Sequence, residues 1–293
     1  RDQPRSRGLG DVYKRQVEWF LRRHGYSRHI ITGLKRTEDG IFRNGVRAWT
    51  SQAVHAGDVI ETHLVETEPS DGILPRPVPF SVVYEDDDIL VVDKPADTPI
   101  HPSIGNYENT LANGIAWYFE QKGEPFVYRC INRLDRDTTG LIVLAKHALS
   151  AAVLSQAMRS REIHRTYQAF ALGETAASGT IDAPIARLNG SLIQRTVDFA
   201  SGERSVTHYR TLAHCSVFSH LELNLETGRT HQIRVHMAYI GHPLLGDTLY
   251  NKTPGTFPRQ ALHSASLSFV HPITGEPLNF HAPLPEDMQN LLT

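Results

Sequence analysis

A proline-rich segment, residues 68–80, most constrains how this chain of 293 residues can fold. Its prolines remove backbone hydrogen-bond donors and oppose both helix and central strand. The segment therefore predicts a linker between a small amino-terminal part and a larger carboxyl-terminal part. We expect an arm over residues 1–16, a module over 17–67, the linker over 68–80 and a main domain over 81–293. The residues that carry the prediction are Pro69, Gly72, Pro75, Pro77 and Pro79.

The first sixteen residues, RDQPRSRGLGDVYKRQ, have no apolar periodicity, no initiating methionine and no apolar signal segment. They are similar to translated adapter sequence, and we predict a non-native or disordered arm outside the fold. Residues 1–50 hold twelve Lys and Arg against five Asp and Glu, and the arm supplies five of those twelve cations. A basic stretch can bind nucleic acid, but a solvated basic surface explains it equally well.

Beyond the arm, the module shows helical periodicity from Val17, with inward-facing Phe20, Leu21, Ile30, Ile31 and Leu34. Two strand-like pieces follow, over residues 40–46 and 59–65, with turns at Gly45 and around Gly57. The module also carries cations that could contact phosphate, namely Arg22, Arg23, Arg28, Lys35, Arg36 and Arg43.

The main domain mixes strands with few helices, which predicts an α+β fold and not a regular alternation of strand and helix. The patterns predict strands over residues 81–84, 89–92, 141–145, 166–172, 206–212, 220–225 and 265–270, and helices over 110–122, 149–160, 231–240 and 286–292.

Composition narrows the class of protein further. No apolar run approaches the roughly 20 residues that span a bilayer, so no membrane partner is expected. Only two cysteines occur, Cys130 and Cys215, which favours a reducing compartment and predicts a cytoplasmic protein. The net charge is −2, so the total charge says nothing about an anionic partner.

The most informative segment is INRLDRDTTGLIVLAK, residues 131–146. A calcium loop is excluded because Lys146 stands where the bidentate glutamate is needed. Asp137, Thr138 and Thr139 are typical of a tight turn, with Gly140 at a positive φ. The flanking Arg133 and Arg136 favour the ionised form of Asp135, which could then act as a nucleophile or simply form an ion pair.

This segment resembles the signature of the RluA family of RNA pseudouridine synthases. The resemblance extends over residues 81–285 through YEDDDILVVDKPADTPIHP, HRTYQAFALG, SVTHYRTL, TGRTHQIRVHMAYIGHPLLGDTLY and ALHSASLSFVHPITGEPLNFHAPLP, in the family's order. The module before the linker is similar to the small alpha-L RNA-binding module of ribosomal protein S-four. The resemblance implies a pseudouridine synthase fold with a largely antiparallel sheet, preceded by that module.

The same resemblance implies the chemistry and the site. Specific uridines of structured RNA, ribosomal more than transfer RNA, become pseudouridine without a cofactor or metal, in a monomeric enzyme. Asp135 is then the catalytic carboxylate, Arg234 its partner and Tyr167 the tyrosine that packs on uracil, while Arg133 displaces the target base. The substrate-binding residues are completed by Arg136, Arg22, Arg23, Lys35 and Arg36.

Departures and alternatives remain open at this point. Asn132 stands where many members have His, and Asp97 stands where Gly is usual, which affects the local turn. Asp135 and Asp137 are a formal carboxylate pair for a glycoside or nucleoside hydrolase. A non-catalytic RNA-binding or ribosome-assembly factor is the other alternative. A zinc site at His231 and His236 is disfavoured, because their spacing places them on different helix faces.

Overall fold

The computed structural model describes residues 16–64 and 69–293. The predicted arm lies outside the described residues except for Gln16, which forms an antiparallel β bridge with Ala53. Residues 65–68, where we predicted the module to end and the linker to begin, also lie outside them. None of the described helices combines the length and the apolarity that a membrane span requires.

The amino-terminal part contains two short helices, α1 (Val17–Arg23) and α2 (Arg28–Arg36), and a small sheet. The sheet has the order β2-β1-β3, with β1 at Ile41–Arg43, β2 at Val46–Arg47 and β3 at Ile60–Thr62. The strand predicted over residues 40–46 is divided into β1 and β2, and the turn predicted at Gly45 is confirmed. Asn44 and Gly45 both have positive φ and turn the chain, so these residues begin a hairpin instead.

A separate hydrophobic cluster holds this part together, built on Val17, Leu21, Ile31 and Ile41. Its edge reaches the main domain at helix α4 (Ala148–Arg159), whose Ala148 and Ala152 pack against it. A Cβ added to Gly25 would lie 2.4 Å from Cγ2 of Val153, so the two parts approach each other closely there.

The main domain is built on one large sheet, which contains nine strands over the described residues in the order β4-β5-β6-β13-β7-β12-β11-β8, with β14 paired to β13. Every neighbouring pair is antiparallel except β13 and β6. The strands are β4 Ser81–Glu85, β5 Ile89–Lys94, β6 Thr139–Ala145, β7 His164–Leu172, β8 Ser178–Asp182, β11 Val206–His214, β12 Phe218–Leu225, β13 Leu262–Val270 and β14 Pro277–His281. A separate two-stranded sheet joins β9 (Ile185–Arg187) to β10 (Arg195–Val197).

The centre of the sheet is buried on both faces because β5 and β6 are apolar at successive positions. Leu90 and Ile142 join one hydrophobic cluster with helix α3 (Leu111–Lys122), while Val91 and Leu141 join a second cluster with α4. The remaining helices are α5 (Gln232–Tyr239) and α6 (Glu286–Gln289). The predicted α+β class is confirmed.

Most predicted elements of the main domain are confirmed with small shifts at their ends. Thr110 caps α3 through a reciprocal bond with Asn113, and Gly123 ends that helix in the left-handed conformation. The sequence analysis missed β8, β9, β10 and β14. These strands are short and partly exposed, so they lack the apolar run that indicated the central strands.

Residues 69–80 contain no helix or strand. They lie along the main domain, where Ser70 N donates to Phe126 O at 3.3 Å and Arg76 N donates to Asn113 O at 3.1 Å. The Asn113 side chain, in turn, donates to Leu74 O at 2.8 Å. The proline-rich segment is therefore fixed to α3 by backbone hydrogen bonds.

Candidate active site

Asp135 lies in the tight loop that leads into β6. Thr138 N donates to Asp135 O at 3.1 Å and closes the turn. Gly140 follows with φ of +110°, and a Cβ there would lie 2.3 Å from Ser264 O, so only glycine fits. The turn predicted around Gly140 is confirmed, and it places Asp135 at the end of the central strand.

Buried side chains hold this loop from beneath. Lys94 is fully buried, and its Nζ donates to Arg136 O and Pro95 O at 2.8 Å each. Arg259 Nη1 donates to Asp137 O at 3.1 Å, while the other edge of its guanidinium pairs with Asp287 on α6. Burial lowers the pKa of Lys94 to about 7. The backbone of the loop is thus fixed by a buried lysine and a buried arginine.

Arg234, from α5, is the cation that contacts Asp135. Its Nη1 donates to Asp135 Oδ2 at 2.9 Å, and its Nε and Nη2 donate to the two oxygens of Asp247 at 2.7 and 2.9 Å. Asp247 is fully buried. Burial opposes the charge on Arg234, but hydrogen bonds with Asp247 and the charge of Asp135 outweigh it and raise the pKa of Arg234. Arg234 is a permanent cation here.

His231 also faces Asp135, with Nε2 lying 3.8 Å from Asp135 Oδ2. Its Nδ1 lies 2.7 Å from the Tyr250 hydroxyl, which accepts a hydrogen bond from Arg195 N at 2.8 Å. With that acceptance made, the hydroxyl donates its own proton to Nδ1, so the neutral ring carries its proton on Nε2. Burial lowers the pKa of His231, which favours the neutral ring.

A shallow pocket collects several of the predicted site residues. Asp135, Arg133, Tyr167 and Arg234 all line it, together with Leu134, Thr138, Leu225, Arg229, His231, Gln232, Ile233 and Leu262. Tyr167 is buried, whereas Arg133 is exposed at the rim. The structure therefore brings together residues that are distant in the chain, and Asp135 and Arg234, which are in contact, lie 99 positions apart.

Arg136 is not part of this group. Its guanidinium pairs with Asp97 across the loop, so the expectation that Arg136 flanks the Asp135 carboxylate is wrong; Arg234 takes that place. Asp97 has φ of +54°, a conformation that aspartate tolerates better than most residues and that explains why glycine is usual there. Asp137 does not line the pocket, and its Oδ1 accepts from Asp97 N at 3.2 Å.

Asn132, the other departure from the family pattern, is buried beside β6. Its Nδ2 donates to Leu141 O at 3.1 Å and its Oδ1 accepts from Val143 N at 2.9 Å. The side chain thus pairs with the backbone of β6 as a neighbouring strand would.

The four predicted cations of the amino-terminal part lie on α1 and α2 and do not line this pocket. Arg22 pairs with Glu18 at 3.1 Å, and Arg23 lies 5.1 Å from the ring centre of Trp19. Lys35 and Arg36 are exposed in the last turn of α2. Arg43, in contrast, pairs with Asp58 at 2.8 Å and is half-buried.

The sequence analysis missed Lys94, Asp247, Tyr250 and Arg259 as supporting residues. Tyr250 and Asp247 lie in the GDTLY run that follows α5, but nothing in that run alone indicates a contact with Arg234. Two exposed tryptophans were missed as well: Trp19 and Trp49, each with an arginine about 5 Å from its ring centre.

His236 does not form a metal site with His231. It is buried, and its nitrogens bond Thr207 Oγ1 and Ala183 O. Among the described residues, one group has metal-ligand spacing, namely Asp86, Asp88 and His271. There, Nδ1 of His271 accepts from Thr274 N at 3.0 Å, so Nε2 carries the proton and donates to Asp86 at 2.9 Å. Hydrogen bonding therefore accounts for the spacing of this group.

The model of one protein family matches residues 88–239, and its description is RNA pseudouridylate synthase. The chain belongs to this family. YjbO of Bacillus subtilis, an uncharacterized RNA pseudouridine synthase, is 40% identical over 269 residues, which cover 92% of this chain and 95% of YjbO. Ribosomal large subunit pseudouridine synthase D of Escherichia coli K12 is 41% identical over 241 residues, which cover 78% and 74% of the two chains.

A solved structure gives the same family. Human RNA pseudouridylate synthase domain containing 1 superposes with a TM-score of 0.59 and 26% identity, over 74% of this chain and 86% of the human chain. The predicted pseudouridine synthase fold is therefore confirmed. The enzyme is an isomerase acting on RNA, as its family is.

Proposed function

We propose that this enzyme isomerises uridines of ribosomal RNA to pseudouridine, with Asp135 as the catalytic carboxylate. The observation that carries the proposal is the Asp135–Arg234 pair in a pocket that Tyr167 also lines. Ribosomal RNA is favoured because several relatives at 41–43% identity are named ribosomal large subunit pseudouridine synthase D.

The reaction exchanges one glycosidic bond for another. The N1–C1′ bond of uridine breaks, the uracil turns over, and C5 bonds to C1′, while C5 loses a proton and N1 gains one. An ionised carboxylate near C1′ supports the electron-poor sugar as the base departs. Arg234 donates to Oδ2 of Asp135, and His231 Nε2 lies 3.8 Å from the same oxygen. We assign Oδ1 to the substrate.

The base has to leave its helix before it reaches Asp135, which costs a few kcal/mol of unstacking. Tyr167, Leu225 and Leu262 line the pocket and offer apolar surface to a flipped uracil. Arg133 is exposed at the rim, where its planar cation can occupy the space that the base leaves. Arg136, paired with Asp97, is assigned a weaker role at the RNA backbone.

We assign the amino-terminal part, residues 17–67, to an S-four-type RNA-binding module, joined by the linker 68–80 to the catalytic domain 81–293. Exposed cations on α1 and α2 support phosphate contact: Arg22, Arg23, Lys35 and Arg36. Trp19 and Trp49 are 36% and 56% exposed, and each has an arginine against its ring. Aromatic rings of this kind are platforms for unpaired bases. Monomeric state and cytoplasmic location stay predictions.

Mapping of pseudouridines tests the function. Total RNA from cells with and without the gene is treated with carbodiimide and read by primer extension. We expect one or more stops in large-subunit ribosomal RNA that vanish with the gene and return with the wild-type protein. Stops that vanish with the gene only in transfer RNA would contradict ribosomal RNA as the substrate. Release of free uracil would instead favour a nucleoside hydrolase, and RNA binding without any altered stop would favour a ribosome-assembly factor.

The role of the module in RNA binding is tested with point variants. A deletion of residues 17–67 would also uncover Ala148 and Ala152 of α4 and so disturb the main domain. Replacing Arg23 and Arg36 by Gln should weaken RNA binding and reduce its salt dependence. The control is Arg76→Gln, because Arg76 is a partly exposed arginine of the linker and pairs with Glu108. Equal affinity for both proteins over a range of KCl would contradict the module's role as an RNA clamp.

A further inference from the structure

The β9–β10 hairpin places two arginines directly opposite each other. In this antiparallel ladder Arg187 pairs in register with Arg195, and Ala186 with Thr196. Like charges at opposed positions of a ladder destabilise it. The Arg195 guanidinium donates to Ile193 O and Gln194 O, at 2.9 and 3.2 Å, but both acceptors are neutral carbonyl groups and do not cancel the repulsion between the two charges. An anion between the two guanidinium groups would remove that cost.

A cavity of about 400 Å³ opens beside this pair. A third arginine, Arg229, lines it, as does Thr230, whose hydroxyl can donate a hydrogen bond. Its lining includes one carboxylate, Glu203, which already pairs with Arg229. The charged groups at the cavity therefore leave a positive surplus, and the space is large enough for a phosphate with its attached sugar.

The cavity adjoins the Asp135 pocket. Arg229 lines both of them. The backbone of Arg195 also connects them, because its N–H donates to Tyr250 at 2.8 Å and Tyr250 contacts His231 at 2.7 Å. An anion held at the cavity would lie next to the nucleotide whose C1′ faces Asp135.

We propose that Arg187, Arg195 and Arg229 form a subsite for a backbone phosphate of the RNA, one that flanks the target uridine. The inference rests on the proposed function and extends it, since it names the group that is held and the place where it is held. Guanidinium groups bind phosphate oxygens in pairs of parallel hydrogen bonds, which fixes orientation as well as position. Phosphate contacts position RNA, and the neighbouring pocket selects the base.

The test compares Arg187→Gln and the double variant Arg187→Gln/Arg195→Gln with wild type. Binding of fluorescent poly(U) is followed by anisotropy over a KCl series. We expect Arg187→Gln to weaken binding about tenfold at low salt, and the double variant to reduce the slope of log K against log salt by about 0.7, the value for one phosphate of a single strand. The unfolding temperature of each variant should not be lower than that of the wild type, because the variants remove like-charge repulsion.

The matched control is Arg210→Gln. Arg210 is also an exposed strand arginine, but it stands opposite Glu222 in register and lies outside the cavity. An unchanged slope in the double variant, or an equal change in the control, would overturn the subsite. Tritium release from C5-tritiated ribosomal RNA by the wild type is measured in parallel. Its absence would contradict the proposed function, and a reduced slope would still support a phosphate contact.

Discussion

Arg234 and Asp135 form a hydrogen-bonded ion pair at 2.9 Å, although 99 positions separate them in the chain. The guanidinium has a second partner, the fully buried Asp247, which it contacts through two further nitrogens. Asp247 therefore fixes the orientation of Arg234, and Arg234 in turn fixes Asp135 Oδ2. The buried carboxylate of Asp247 thus positions Arg234, and Arg234 positions the partly exposed carboxylate of Asp135. Substitutions at the two aspartates can therefore test positioning and chemistry separately.

Asp135→Asn should abolish turnover while RNA binding survives. The amide keeps the size of the side chain but removes the charge that the reaction needs at C1′. Phosphate contacts are spread over many cations, so we expect binding to change by less than about tenfold, or ~1.4 kcal/mol. Tritium release from C5-tritiated uridine in ribosomal RNA measures turnover, and filter binding of the same RNA measures affinity.

The control for that experiment is Asp137→Asn. The Asp137 side chain accepts a backbone hydrogen bond from Asp97, which an amide oxygen can also accept, and it does not line the pocket. Substantial activity should remain. If Asp135→Asn still releases tritium, or if both folded variants lose activity equally, a single catalytic aspartate is wrong and the carboxylate-pair mechanism returns.

Asp247→Asn should lower both stability and activity. Asp247 is buried and bonded to Arg234, and removing one charge of such a pair leaves the other uncompensated, at a cost of about 3–5 kcal/mol. Urea unfolding should show this loss, whereas Asp135→Asn should unfold near the wild-type midpoint because its side chain is 24% exposed. A fully stable but inactive Asp247→Asn would show that Asp247 does not act through the buried pair.

The sequence predicts the central strands and helices because their signals are local. Apolar runs mark β5 and β6, and Thr110 with Gly123 marks both ends of α3. The candidate residues Asp135, Tyr167 and Arg234 were implied by family motifs, and the structure places them around one pocket. The three residues meet at this pocket because of the register of β7 against β13 and the docking of α5. No local sequence pattern encodes either of these features.

The residues that support the site could not be predicted for the same reason. Lys94 is the last residue of an apolar strand and has the sequence context of a surface lysine, but the fold buries it against two carbonyl groups. Arg136 looks like a partner of Asp135, one position away in sequence, but the turn directs it to Asp97. Proximity in sequence indicated the wrong cation because adjacent side chains of a tight turn point in different directions.

His231→Gln should remove a pH-dependent step in turnover. Burial lowers the pKa of His231, so the ring is neutral at neutral pH and becomes charged as pH falls below its usual value near 6.5. The charged ring can no longer accept from Tyr250, and it adds a positive charge beside Arg234. Wild-type tritium release should therefore decline on the acid side as His231 gains its proton.

Glutamine has no such titration but retains an N–H donor, so its profile should lack this early decline and its rate at neutral pH should fall by about tenfold or less. His231→Ala is the comparison, because both variants share the positive φ of +59° at this position. We expect Ala to be clearly slower than Gln. Identical rates for the two variants, or an unchanged acid limb in Gln, would mean that His231 only fills space.

Lys94→Met should remove the pH dependence that Lys94 gives to the free energy of unfolding. It should also show how far Lys94 supports the loop. Burial lowers the pKa of Lys94 to about 7 from an ordinary 10.5. Between these two pH values the unfolded chain holds the proton and the folded chain does not, so the wild-type free energy of unfolding rises with pH, by at most about 1.4 kcal/mol per pH unit. Below pH 7 both states are protonated and this slope disappears. The Met variant lacks this contribution to the slope. Its turnover should fall about tenfold, because Arg136 O and Pro95 O lose a donor beneath Asp135. Urea unfolding between pH 6 and pH 10, with tritium release at each pH, measures both effects.

Lys122→Met is the control, since hydrogen bonding to Glu85 raises the pKa of that exposed lysine and no slope is expected in this window. A Met variant with wild-type turnover, or with the wild-type dependence of stability on pH, would show that Lys94 neither holds the loop nor loses its proton there.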